Sequence, residues 1–155
     1  MPRAKLLPRK PPAPDSKYNS ILLSRYVGKL MLHGKKERAL NILYKALDDA
    51  SSSLKMKPVE VLETATESVR PLVEVTPKRI GGATYQIPTE VEYDKGITLA
   101  IRWIVMTSRK KKGAPMVRKL SSEFVDAIRK TGGAYKKRED MHRMAEANKA
   151  FSHFK

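Results

Sequence analysis

The side chains best equipped for chemistry in this 155-residue chain are cations, and they come in short runs. Arg3, Lys5, Arg9 and Lys10 stand near the N-terminus, Lys35-Lys36 follow a glycine, and Lys78-Arg79 precede the Gly81-Gly82 pair. Arg109-Lys110-Lys111-Lys112 leads on to Arg118-Lys119, and Lys136-Lys137-Arg138 is followed by Arg143. Lys and Arg number 32 against 16 Asp and Glu, a formal charge of +16. Self-repulsion of that size works against compactness unless a polyanion neutralises it. Separate clumps suit an extended partner rather than one bound anion. Cations of this kind neutralise phosphates and release counterions, so they point to nucleic-acid backbone, bound without regard to sequence and weakened by salt.

Other chemistries find little support. His33, His142 and His153 are scattered. His142 and Glu146 share a helix face at four-residue spacing, which could begin a metal site. Glu139, Asp140, Arg143 and Lys149 on the same stretch make a solvated face of ion pairs the simpler account. Neither Gly81-Gly82 nor Gly132-Gly133 is followed by the Lys-Ser/Thr of a phosphate loop. With no Cys, thiolate metal sites and disulfides are excluded. No Ser sits in a nucleophile motif, so no cofactor, metal or catalytic activity is expected. The longest apolar stretch, 97–106, is broken by Arg102 and falls short of the roughly 20 residues a membrane span needs. The Pro-rich N-terminus has only Leu6-Leu7 as an apolar element and is no secretory signal. A soluble intracellular protein is expected, with no membrane partner and no homo-oligomer.

The elements that must position these cations are mostly helices. The length suits one domain, burying about two-thirds of the unfolded surface. Residues 1–14 are basic, Pro-rich and free of acid, and read as an extended arm. Residues 15–155 read as a helical nucleic-acid-binding domain. Leu22, Leu23, Tyr26, Val27 and Leu30 repeat at helical spacing until His33-Gly34. A second helix from about Lys35 carries Ala39, Leu40, Leu43, Tyr44 and Leu47, and a third opens on Pro58 and ends at Pro71. Residues 72–91 are β-branched around Gly81-Gly82 and predict a hairpin. Pro77 and Pro88 keep both strands out of a larger sheet, so it should project as an arm with Lys78-Arg79 at its tip. Beside them, Tyr85 could stack on an exposed base or pack across the strand. Asp94 is a plausible N-cap for a helix with Ile97, Ala100, Ile101, Ile104 and Val105 on one face. Its basic exit suits the macrodipole, but four cations exceed what the dipole calls for, which favours phosphate contact. Pro115 opens a fifth helix closed by Thr131-Gly132-Gly133, and a sixth, half-buried, runs from about Tyr135 to the end. The fold class expected is mainly α, a six-helix bundle-like domain with one protruding β-hairpin and an extended basic N-terminal arm. Basic residues spread over the ends of many elements fit a folded RNA better than a straight duplex groove.

Several segments are specific. Gly34-Lys35-Lys36, the series from Val69-Arg70-Pro71 through Lys78-Arg79-Ile80-Gly81-Gly82-Ala83-Thr84-Tyr85-Gln86-Ile87-Pro88, and Leu99-Ala100-Ile101-Arg102-Trp103 follow in order. With the end from Lys136 to Phe151, they resemble the family of small ribosomal subunit protein seven from bacteria and organelles. The resemblance runs from about Pro14 to Phe154. It implies a primary binder of small-subunit rRNA that docks on the 3′ major domain and nucleates assembly of the subunit head. The hairpin and closing helix would lie near exit-site tRNA and mRNA, with other small-subunit proteins as neighbours. Carried over, Lys78, Arg79, Gly81 and Gly82 form the hairpin tip, Lys35 and Lys36 a basic helix start, and Lys136, Lys137, Arg138 and Arg143 the basic side of the last helix. The location implied is the ribosome of a bacterial cytoplasm or, alternatively, of an organelle. Glu90, Glu92 and Asp94 depart from the more basic pattern of many relatives. A general duplex-DNA binder is the competing reading that charge alone permits.

Overall fold

The computed structural model describes residues 12–154. Its elements in chain order are α1 (Ile21–Leu30), α2 (Lys36–Leu54), α3 (Pro58–Val69), β1 (Val73–Ile80), β2 (Ala83–Glu90), α4 (Tyr93–Lys110), α5 (Met116–Ile128) and α6 (Gly133–Ala147). A 3-10 helix, Lys149–Phe154, follows α6. Arg3, Lys5, Arg9 and Lys10 lie outside the described residues.

The helices form where apolar residues recur at three and four, and they bury those faces together. Leu23, Tyr26, Val27 and Leu30 come from α1, and Leu43, Ala46 and Leu47 from α2. Val61, Leu62, Ala65 and Val69 from α3 meet Ile101 and Ile104 from α4 and Leu120 and Phe124 from α5. Tyr26 and Phe124 pack edge to face at its centre, with ring centroids 5.7 Å apart. The Tyr26 hydroxyl lies 2.8 Å from Thr66 Oγ1, so burying the phenol leaves no orphaned polar atom. By contrast α6 buries only Ala134 and Ala145, as its sparse apolar stripe predicts.

Local signals set the ends. Ser20 Oγ accepts from Leu23 N–H to cap α1, and Pro58 stands in the first turn of α3. Two boundaries differ from expectation. Glu92, not Asp94, occupies the N-cap position of α4 and makes no side-chain cap bond, while the Asp94 carboxylate is engaged by Arg25 through Nη1 and Nη2, both at 3.0 Å. The last α-helix starts at Gly133 and stops at Ala147. There Asn148 Nδ2 donates to Met144 O at 2.8 Å, and the chain tightens into the 3-10 turn.

β1 and β2 form a two-stranded antiparallel sheet, with Val73 opposite Glu90 and Ile80 opposite Ala83. Gly81 and Gly82 both have positive φ, 56° and 91°, as a two-residue hairpin turn of this hand requires. Pro77 and Pro88 are tolerated because each strand has an unpaired edge. The tip is exposed, but the base is fastened: α6 packs on β1, the 3-10 helix packs on β2, and Ile87 is buried.

Candidate nucleic-acid interface

The hairpin tip presents Lys78 and Arg79 beside the glycine turn, with open space around both glycines. Tyr85, opposite Lys78 in the ladder, is half-buried, and its ring lies 5.2 Å from that of Phe151 on the 3-10 helix. That contact is neither of the two roles considered for it from sequence. Lys35 and Lys36 are exposed where α2 begins, just after the left-handed residues His33 and Gly34.

The run at the end of α4 divides in two. Arg109 Nη2 donates to Lys29 O at 3.3 Å and Leu30 O at 3.1 Å, closing the C-terminus of α1. The Lys111 ammonium turns inward to Glu123 Oε2 at 2.8 Å, Asp126 Oδ2 at 3.0 Å and Ser122 Oγ at 2.7 Å. Lys110 and Lys112, between and beyond them, are exposed. Glu123 is fully buried, and its Oε1 also accepts from Ala134 N–H at 2.8 Å, tying α5 to the first turn of α6. Burial pushes the Lys111 ammonium down, but its bonds to Glu123 and Asp126 outweigh that and raise it above the ordinary lysine value. Gly132 and Gly133 make the approach possible. A Cβ on Gly132 would lie 3.0 Å from Glu123 Oε1, and one on Gly133 only 2.6 Å from Thr107 Cγ2.

Arg118 is exposed and Lys119 half-buried on α5. On α6, Lys136 is exposed and Lys137 half-buried, while Arg138 Nη1 donates to Ser68 O at 3.2 Å and its guanidinium lies over Tyr135. Arg143 forms an exposed i,i+3 pair with Asp140 at 2.6 Å, an arrangement worth little to stability. The basic residues therefore stand at separate outposts, with some of them turned to internal work.

Two functional contacts escaped the sequence reading. His142 Nε2 accepts from Leu72 N–H at 3.0 Å, pinning the root of the hairpin to α6. Burial, with the Arg138 charge, lowers its proton affinity below the ordinary histidine value, so the neutral acceptor form is favoured. Among the described residues no group of three His, Asp or Glu could hold an ion. The buried Glu123 did carry a signal. It falls on the stripe of Leu120, Phe124 and Ala127, where a carboxylate demands a partner. Among the described residues, no helix is long and apolar enough to cross a membrane.

The helical body carries one glycine-turned hairpin, with cations scattered over separate elements. The family model for ribosomal protein S7p/S5e matches residues 2–149, and the chain belongs to that family. It is 47% identical to the small ribosomal subunit protein uS7 of Chloroflexus aggregans over 154 residues, 99% of this chain and 98% of the relative. Identity is 51% over 153 residues with uS7 of Dictyoglomus turgidum, covering 99% and 97% of the two chains. With uS7 of Thermosipho africanus it is 53% over 147 residues, covering 95% and 94%. The protein is a structural rather than catalytic constituent of the ribosome.

Proposed function

We propose that this chain is a primary rRNA-binding protein of the small subunit, which docks on the 3′ major domain and nucleates assembly of the head. The observation that carries the reading is the placement of exposed cations at the ends of separate elements, the hairpin tip, the start of α2, the exit of α4 and the start of α6, in a chain of this family. Each outpost reaches a different stretch of phosphate backbone, which suits a folded RNA of several helices. The hairpin tip and the end of α6 would lie near exit-site tRNA and mRNA, with other small-subunit proteins as neighbours. The location is the ribosome of a bacterial cytoplasm, or of an organelle in the alternative.

The test is affinity for a 3′ major domain transcript across salt. If about six phosphates are contacted, affinity should fall on the order of a thousandfold between ~50 and ~200 mM. The protein should also co-sediment with small subunits. Equal binding to random duplex DNA and to the transcript would overturn the reading.

A further inference from the structure

We propose, on the footing of the rRNA reading above, that Tyr93 is the platform of a site for one unpaired nucleobase, seated in the cleft between α1, α3, α4 and α6. Tyr93 opens α4 and is 61% exposed, more than any other large apolar side chain among the described residues. It contributes little to the core, yet its orientation is built. The Arg70 guanidinium lies 4.8 Å from the ring centroid, and Glu67 Oε1 holds that guanidinium through Nε at 2.8 Å and Nη2 at 2.5 Å. Gly96 leaves room for it, since a Cβ there would lie 3.0 Å from Arg70 Cγ. An exposed cation–π pair is itself worth only about 0.5–1 kcal/mol. Its main effect is to fix an aromatic face in advance of binding, which lowers the ordering cost of a ligand.

The cleft beside the ring has a volume of about 840 Å³, within the range of small-ligand sites. Its apolar floor includes Ile21, itself 45% exposed, and Ile97. Charge at the rim is largely self-cancelling: Arg25 is matched by Asp94, and Glu67 by Arg70. Lys130 and Arg138 then stand against Glu63, two positive charges against one negative. Arg138 Nε is buried without a hydrogen-bond partner, while its Nη1 is held by Ser68 O. A flat aromatic ligand joined to a single phosphodiester matches a held tyrosine, an apolar floor and one surplus cation. Stacking of unpaired bases on aromatic side chains is how proteins commonly read single-stranded RNA. Asp94 and Glu67 beside Tyr93 thus have local cationic partners.

The experiment uses the full chain and the 3′ major domain transcript. Tyr93→Ala should weaken binding about 5- to 150-fold, the usual effect of losing one stacked base. The line of log affinity against log salt should stay parallel, because no phosphate contact is lost. Tyr93→Phe should bind as the unmodified chain does. A photoreactive phenylalanine at position 93 should cross-link to a nucleotide in assembled small subunits, and this measurement decides the matter if Tyr93→Ala does not fold. Undiminished binding by Tyr93→Ala, with the unmodified chain binding normally, overturns this site and leaves the rRNA reading standing. A cross-link to protein instead of RNA, or none, overturns it equally. Failure of the unmodified chain to bind the transcript removes both.

Discussion

At the scale of single residues, neighbours in one basic run do different work. Lys111 neutralises the buried Glu123, whereas Lys110 and Lys112 face outward. Removing one partner of a buried pair costs about 3–5 kcal/mol, and Lys111→Ala belongs at the low end because the lysine keeps partial contact with water. Denaturant unfolding should show that loss, with the salt slope of rRNA binding unchanged. Lys110→Ala and Lys112→Ala should leave stability alone and each lower the salt slope by about one. His142 supplies a pH test. Its folded form takes up a proton less readily than the unfolded form, so its contribution is complete above about pH 6.5 and is lost as pH falls through the lowered folded value. Arg138 adds to this by repelling the imidazolium, while Glu139 borders the same shallow recess. Denaturant melts between about pH 8 and 5 should show stability declining toward acid, and His142→Gln, which keeps an acceptor but cannot titrate, should flatten that part of the decline.

Among the elements, the hairpin and α6 are most instructive. Deleting Thr76 to Gln86 should preserve the helical core, because that segment supplies no residue to the main cluster. It should leave Phe151 without its ring partner while rRNA docking largely persists. Circular dichroism and transcript binding would check this, and collapse of the helical signal would show the hairpin to be integral. Gly133→Ala should destabilise by about 1–3 kcal/mol through the clash with Thr107, an overpacking effect measurable by thermal melting. Sequence alone revealed these elements where the signal was local. The Gly81-Gly82 pair between β-branched runs marks the turn, and Leu120, Phe124 and Ala127 mark the buried face of α5. It could not reveal Asp94 as a partner of Arg25, or Tyr85 as a partner of Phe151, since each pairing joins residues far apart in the chain. The two-way split of the α4 exit was hidden for the same reason: Glu123 reaches Lys111 only after α5 folds back.

For the molecule as a whole, the surplus of cations predicts opposite responses to salt. Raising ionic strength from about 50 to 500 mM should raise the melting temperature of the free protein, because screening relieves self-repulsion. The same change should weaken rRNA binding. Net charge was legible from composition, but its division into outward contacts and internal ties was not, because burial decides it. One feature of the hairpin also imposes an order in time. The covering 3-10 helix, Lys149–Phe154, is the last described element to be synthesised, whereas α1 to α5 are complete earlier. A nascent chain therefore carries β2 before the segment that covers it has been made, so among the described elements the limb proposed to work near the exit site is completed last.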